Sequence, residues 1–309
     1  MSTEQIRWLM KVLQPESTLG SMPGIAALTE GTRAALIGVD PETYRAELAQ
    51  MRADTKDAAA ELLADPAVAE MVDRLPLRKG ARVVVFGDSH TADPQSWARI
   101  VAEMLVARRP ADELSVAISA VPGETTTHGL VRVGEVLARQ PDWLLFFIGV
   151  NDARTQGLSP TKTLVDHGET ARNLAELCSR ASRETKARCL WVTPAAVSED
   201  RVATHWGLSR FGVRFRNEDV ASVANAVREL GSPTIDLFSS LGAPPPSELL
   251  MDDGLHFTLA GQKRIALDVV RGWSDQYDEV SRHRRDRDDR LSRHPTSERP
   301  RRTPVCLRA

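Results

Sequence analysis

From Arg82 onward, short apolar runs alternate with longer stretches of helical period, and this alternation restricts the fold more than any other feature. Val83-Val84-Val85-Phe86 is apolar throughout, and three of its four residues are β-branched, as expected of a strand buried on both faces. Residues 114–119, 143–150, 188–193 and the shorter 234–237 repeat that character. Between and after them lie helix-length stretches: one led by Asp93 as N-cap and Pro94, then 126–139, 160–185, 217–230 and 258–273. Strands separated by helices pair in parallel through crossovers, so a five-stranded parallel sheet covered by helices on both faces is expected. The run 143–150 is the most apolar and is placed centrally.

Both ends stand apart from this pattern. Residues 1–79 read as a helical extension, with an apolar stripe at Ile6, Leu9, Met10 and Leu13. Helices are expected from Pro41, from Asp54 or Thr55, and from Pro66, with a loose stretch from Gly20 to Gly38. The α/β domain occupies 80–273. Residues 274–309 are rich in Arg and Asp and poor in apolar side chains, so they are expected to be disordered.

The whole chain has 309 residues and a net charge of −2, which gives no general attraction to nucleic acid or anionic membranes. Its longest apolar run is too short to span a bilayer, and no secretory signal is seen, so a cytoplasmic protein is expected. The cysteines Cys178, Cys189 and Cys306 are widely spaced without a Cys-x-x-Cys pair, which points away from a disulfide framework or a zinc site. Neither a cofactor nor a metal is expected.

Chemistry concentrates at the C-terminal ends of the strands, where ligands bind in open α/β sheets. Gly87-Asp88-Ser89 follows the first strand, Gly123 the second and Gly149-Val150-Asn151-Asp152 the third; Asp253-Gly254-Leu255-His256 precedes the last helix. A serine hydroxyl needs a base, and His256 suits that task. Asp253, three residues earlier, suits the second imidazole nitrogen. An oxyanion formed at an ester carbonyl needs donors fixed in advance; the Ser89 N–H, the Gly123 N–H and the Asn151 side-chain amide are candidates. Gly123 lacks a Cβ, so its backbone can approach a ligand closely.

This ordered set of four blocks resembles the SGNH hydrolase superfamily, the GDSL-type esterases and lipases. The resemblance covers about 82–273. It implies a flavodoxin-like α/β/α domain and metal-free ester hydrolysis through an acyl-serine intermediate. It assigns Ser89 as nucleophile and oxyanion donor, Gly123 and Asn151 as further donors, Asp253 and His256 as the rest of a triad, and Asp88 as a brace for the loop. His90 stands where a leucine is often found and is a rival base by residue type, though badly placed beside the nucleophile in the chain.

The substrate expected is a small ester, with an O-acetyl group as one candidate. An acyltransferase would use the same residues, and a non-catalytic flavodoxin-like binding module is the reading from another class. Residues 194–213, with His205, Trp206, Phe211 and Arg201, Arg210 and the adjoining Arg214, are placed at the substrate pocket.

Overall fold

The computed structural model describes residues 1–15, 29–159 and 161–275. Five parallel strands form one sheet: β1 Arg82–Gly87, β2 Ser115–Ala120, β3 Trp143–Phe147, β4 Arg188–Val192 and β5 Thr234–Ile235. Their order is β2-β1-β3-β4-β5. That is the flavodoxin-like order, which reverses direction between β1 and β3 and opens a crevice there.

Alternation along β1 divides the core. Val83 and Val85 point to one face, with Leu145, Phe147, Leu190 and Val192 from the neighbouring strands. Against them pack Ile100, Val101 and Met104 of the helix Trp97–Arg108, and Ile265, Val269 and Trp273 of the helix 259–275. Val84 and Phe86 point to the other face, with Leu144, Phe146 and Trp191. They meet Val133 and Val136 of the helix Thr126–Ala138, and Leu174 and Leu177 of the helix His167–Glu184. Each face thus buries a nearly continuous apolar layer, worth about 25 cal/mol per Å² removed from water.

Several boundaries differ from the sequence expectation. The helix after β1 does not start at Asp93-Pro94. A short helix, Ser89–Ala92, comes first, and the longer one begins at Trp97. The Asp93 carboxylate still makes an N-cap-like bond, accepting from the Gln95 N–H at 2.7 Å, but it is also drawn into a pair with Lys11 at 2.8 Å. The helix expected from 160 starts at His167, where Asp166 caps it by accepting from the Gly168 N–H. Nothing breaks at Asp54 or Thr55; one helix runs Pro41–Leu63, and the Thr55 hydroxyl donates to the Met51 carbonyl inside it. The stretch 194–213 holds two short helices, Glu199–Thr204 and Trp206–Ser209.

The N-terminal helices are Thr3–Leu13, here α1, then Glu30–Leu36, Pro41–Leu63 and Pro66–Asp73. Ile6 and Met10 of α1 pack on Ala34, Ile37, Tyr44 and Met51, while Leu13 is 44% exposed and lies off that stripe. The last helix extends to residue 275, with Ser274 buried. The remaining residues of the expected disordered tail, and 20–28 of the loose stretch expected from Gly20 to Gly38, lie outside the described residues.

Candidate active site

The end of β1 is shaped by close packing. A Cβ on Gly87 would lie 2.6 Å from the Thr91 hydroxyl and 2.7 Å from the Phe147 carbonyl, so only glycine lets the chain turn there. Asp88 caps the next turn, its carboxylate accepting from the His90 N–H at 3.1 Å. Burial pushes the Asp88 carboxyl up to about 7, against that hydrogen bond. Ser89 is the first residue of the short helix, where a backbone N–H has no intrahelical acceptor.

His256 and Asp253 reach this point from the loop before the last helix. The Ser89 Oγ and His256 Nε2 are 3.1 Å apart, and His256 Nδ1 and Asp253 Oδ2 are 2.7 Å apart. Asp253 is fully buried. Its Oδ1 accepts from the Leu255 and His256 N–H groups, each at 2.9 Å, so the turn itself orients the carboxylate. Burial alone would raise the Asp253 pKa, but the His256 charge and these hydrogen bonds hold it far below the usual carboxylate range. Burial likewise works against a charged His256, and Asp253 overcomes it, leaving the imidazole above its ordinary value. An imidazole so placed takes its proton on Nδ1, which donates to Asp253, and leaves Nε2 to accept from the serine hydroxyl.

Gly123 and Asn151 face the same cavity as Ser89 and His256, a space of about 280 Å³. Gly123 has φ +76°. A Cβ there would meet nothing within 4 Å, so the left-handed backbone, rather than crowding by protein, calls for glycine. Its loop is fixed by Glu124, which pairs with Arg132, whose guanidinium lies over the Phe86 ring. The Asn151 Nδ2 donates to the Glu124 carbonyl at 3.0 Å, which leaves one amide hydrogen for a ligand. Asp152 faces away from the cavity. It accepts from the Thr126 N–H at 2.9 Å and the Thr170 hydroxyl at 3.0 Å, tying three segments together beneath Asn151.

His90 is removed as a rival base. Its Nε2 donates to the Leu255 carbonyl at 3.2 Å, and burial pushes its pKa down to about 3. It packs edge-on against Phe257 and His256 as a neutral ring. Arg201 is not among the residues lining the cavity shared by Ser89 and His256. Its guanidinium donates to the carbonyls of Leu250, Met251 and Ser247, stapling the loop that carries Asp253 and His256. Arg214 donates to the Val213 carbonyl at 2.7 Å.

Three residues of α1 complete the surroundings, and none was singled out in the sequence. The Trp8 Nε1 donates to Asp253 Oδ2 at 2.9 Å. Lys11 forms the buried pair with Asp93. Gln14, just past the helix, donates to the Ser89 carbonyl at 2.9 Å. The spacing 8 and 11 sets the first two on one helical face, and the left-handed turn at Gln14 brings the third beside them. The Trp8 ring lies against Gly207, where a side chain would collide with it, and 4.9 Å from the His205 ring. A larger cavity of about 760 Å³ opens beyond Trp8, but none of Ser89, Gly123, Asn151 or His256 lines it.

The arrangement has the parts of an acyl-transfer centre: a hydroxyl on an imidazole, the imidazole on a buried carboxylate, and N–H donors around a small cavity. Residues 85–264 match the model of the GDSL-like lipase/acylhydrolase family, and the chain belongs to that family. It is accordingly an ester hydrolase, which sets aside the non-catalytic binding module. Among solved structures it is similar to a lipase/acylhydrolase from Enterococcus faecalis, with 27% identity and TM-score 0.50, over 63% of this chain and 96% of the other. Two more distant likenesses, each at 20% identity, bear on the fold alone. An α/β hydrolase enzyme, LAE5, from the metagenome of Lake Arreo, Spain, has TM-score 0.51 over 64% and 97% of the two chains. An acetyl xylan esterase, AlAXEase, has TM-score 0.50 over 61% and 97%. No curated protein sequence matches. Among the described residues, no cluster of His, Cys, Asp or Glu could hold a metal, and no helix is long and apolar enough to cross a membrane.

Proposed function

We propose that the chain hydrolyses small carboxylic esters through an acyl-serine intermediate on Ser89. The observation that carries this reading is the unbroken hydrogen-bonded line from Ser89 through His256 to Asp253, at 3.1 and 2.7 Å. As Ser89 Oγ attacks the ester carbonyl carbon, its proton passes to His256 Nε2. Asp253 holds the Nδ1 proton and stabilises the imidazolium that forms. The carbonyl oxygen takes the negative charge and is met by the Ser89 N–H, the Gly123 N–H and the Asn151 amide. On collapse the alkoxide leaves with the proton from His256, and the acyl group stays on Ser89. Water then gives a proton to His256 and its oxygen to the acyl carbon; the Ser89–acyl bond breaks as His256 passes that proton to Ser89 Oγ, and the carboxylic acid departs.

A fluorophosphonate probe tests the reading, since it phosphonylates an activated serine. Label is expected on the wild type at Ser89 and absent from Ser89→Ala. His256→Ala should lose both label and turnover of p-nitrophenyl acetate while keeping its circular dichroism spectrum. Wild-type turnover by Ser89→Ala would refute the assignment.

A further inference from the structure

Arg154 follows the turn that carries Asn151, and it lines the cavity shared by Ser89, Gly123 and His256. It also lines an adjoining apolar cavity of about 300 Å³, walled by Val12, Leu13, Leu208 and Phe211. Its surroundings are unlike those of the other arginines near the site. Arg132 pairs with Glu124 and Arg216 with Asp219, while Arg201 is spent on backbone carbonyls. Arg154 has no such partner. Its Nε is sealed from solvent without a hydrogen bond, and among the described residues no carboxylate pairs with its guanidinium. No Asp or Glu lines either cavity, and the other basic side chains there are His256 and Arg210.

A guanidinium carries five N–H donors and stays charged at any ordinary pH. Drawing it out of water without an acceptor is costly, and burial does weaken its hold on the proton, with no charged neighbour to offset this. The polarity of the site therefore lacks one component, a negative charge beside the reacting ester. The planar fork is suited to a carboxylate or a phosphate held through two parallel bonds.

We infer that Arg154 selects esters that bear an anionic group close to the scissile carbonyl, a carboxylate or phosphate that enters the cavity and completes the guanidinium. The inference rests on the acyl-serine reading above and adds the substrate class to it. Apolar walls on both sides of Arg154 leave room for a short hydrocarbon spacer between the ester and the charge. Arg210, at the outer cavity with its guanidinium 4.9 Å from the Phe211 ring centre, extends the positive field along the approach.

Two substrate pairs of matched size place the charge on either side of the ester. On the acyl side, the p-nitrophenyl monoester of glutaric acid is compared with p-nitrophenyl valerate. On the alcohol side, O-acetylglycolate is compared with propyl acetate. The readout is kcat/KM for the anionic member over the neutral member. The wild type is expected to favour the anion at least tenfold in one pair, and that pair tells which side carries the charge. Arg154→Gln should lower this ratio at least tenfold, and Arg154→Lys should lie between them, keeping the charge without the fork. The preference should also weaken as salt is raised. A wild type without anionic preference in either pair overturns the inference whether or not the variants fold, and so does a preference that survives Arg154→Gln. Loss of all turnover in Ser89→Ala, together with such an outcome, would leave the acyl-serine reading intact, so the two can fail separately.

Discussion

Replacing Trp8 with phenylalanine removes one N–H from the coordination of a buried carboxylate and little else. Asp253 accepts four hydrogen bonds, two on each oxygen, and three of them come from its own turn. The fourth, from Trp8, is the one that α1 supplies. A hydrogen bond to a charged acceptor is worth about 1.5–3 kcal/mol. Trp8 is 8% exposed and its ring touches His205 and Trp206, so the smaller ring forfeits some packing as well. A loss of about 2–3 kcal/mol is expected, which at roughly 2–4 °C per kcal/mol lowers Tm by about 5–10 °C. The chemistry should move too. Without the indole, more of the charge on Asp253 Oδ2 falls on His256, whose pKa already lies above its ordinary value because of that carboxylate. The imidazole must be neutral to accept the serine proton, so the acid limb of kcat/KM should shift to higher pH. The assay is p-nitrophenyl acetate hydrolysis across the acid and neutral range, with thermal unfolding in parallel. Trp206→Phe is the control, since the Trp206 ring lies tilted against Trp8, 5.0 Å between centres, and makes no hydrogen bond to Asp253. A Trp8→Phe enzyme with the wild-type Tm and acid limb would refute the reasoning.

Asp253→Asn should cut kcat about 10⁴-fold, since it upsets the histidine tautomer; it should also move the acid limb of kcat/KM to lower pH, because the charge that raises His256 is gone. Asn151→Ala should lower kcat about 10²–10³-fold with a near-native Tm, read by steady-state kinetics and calorimetry. Lys11→Met leaves the Asp93 carboxylate buried and unpaired, so it should cost about 3–5 kcal/mol in denaturant unfolding. Adding Asp93→Asn should recover part of that loss, and a strictly additive double mutant would contradict the pairing.

The sheet was legible because its strands are short, apolar and β-branched, and because helix-length segments between them permit parallel pairing alone. The four blocks were legible for a related reason: each sits where an apolar run stops, so topology carries them to one edge. Capping signals were less dependable. Asp93-Pro94 reads as a strong helix start, yet the Asp93 carboxylate is taken by Lys11 and by the Gln95 N–H. The Lys11 partner comes from a segment more than eighty positions away and leaves no local trace. The polar face of α1 was hidden for the same reason. Lys11 and Gln14 look like solvent-facing residues of an amphipathic helix, whereas both are buried, Lys11 against Asp93 and Gln14 against the Ser89 carbonyl. Arg154 carries no sequence signal, because a lone arginine after a turn reads as a solvated side chain until the lack of an acceptor at its buried Nε is seen.

Helix α1 and the residue after it tie the N-terminal end of the chain to Asp253 and Ser89 although the shared family region starts at residue 85. A fragment trimmed to that region would keep Ser89, Asp253 and His256 but lose the indole bonded to Asp253, the amide bonded to the Ser89 carbonyl and the ammonium paired with Asp93. Purification tags fused at the N-terminus, or a protease nick behind it, would thus reach the chemistry directly, and assay results would depend on how that end was handled.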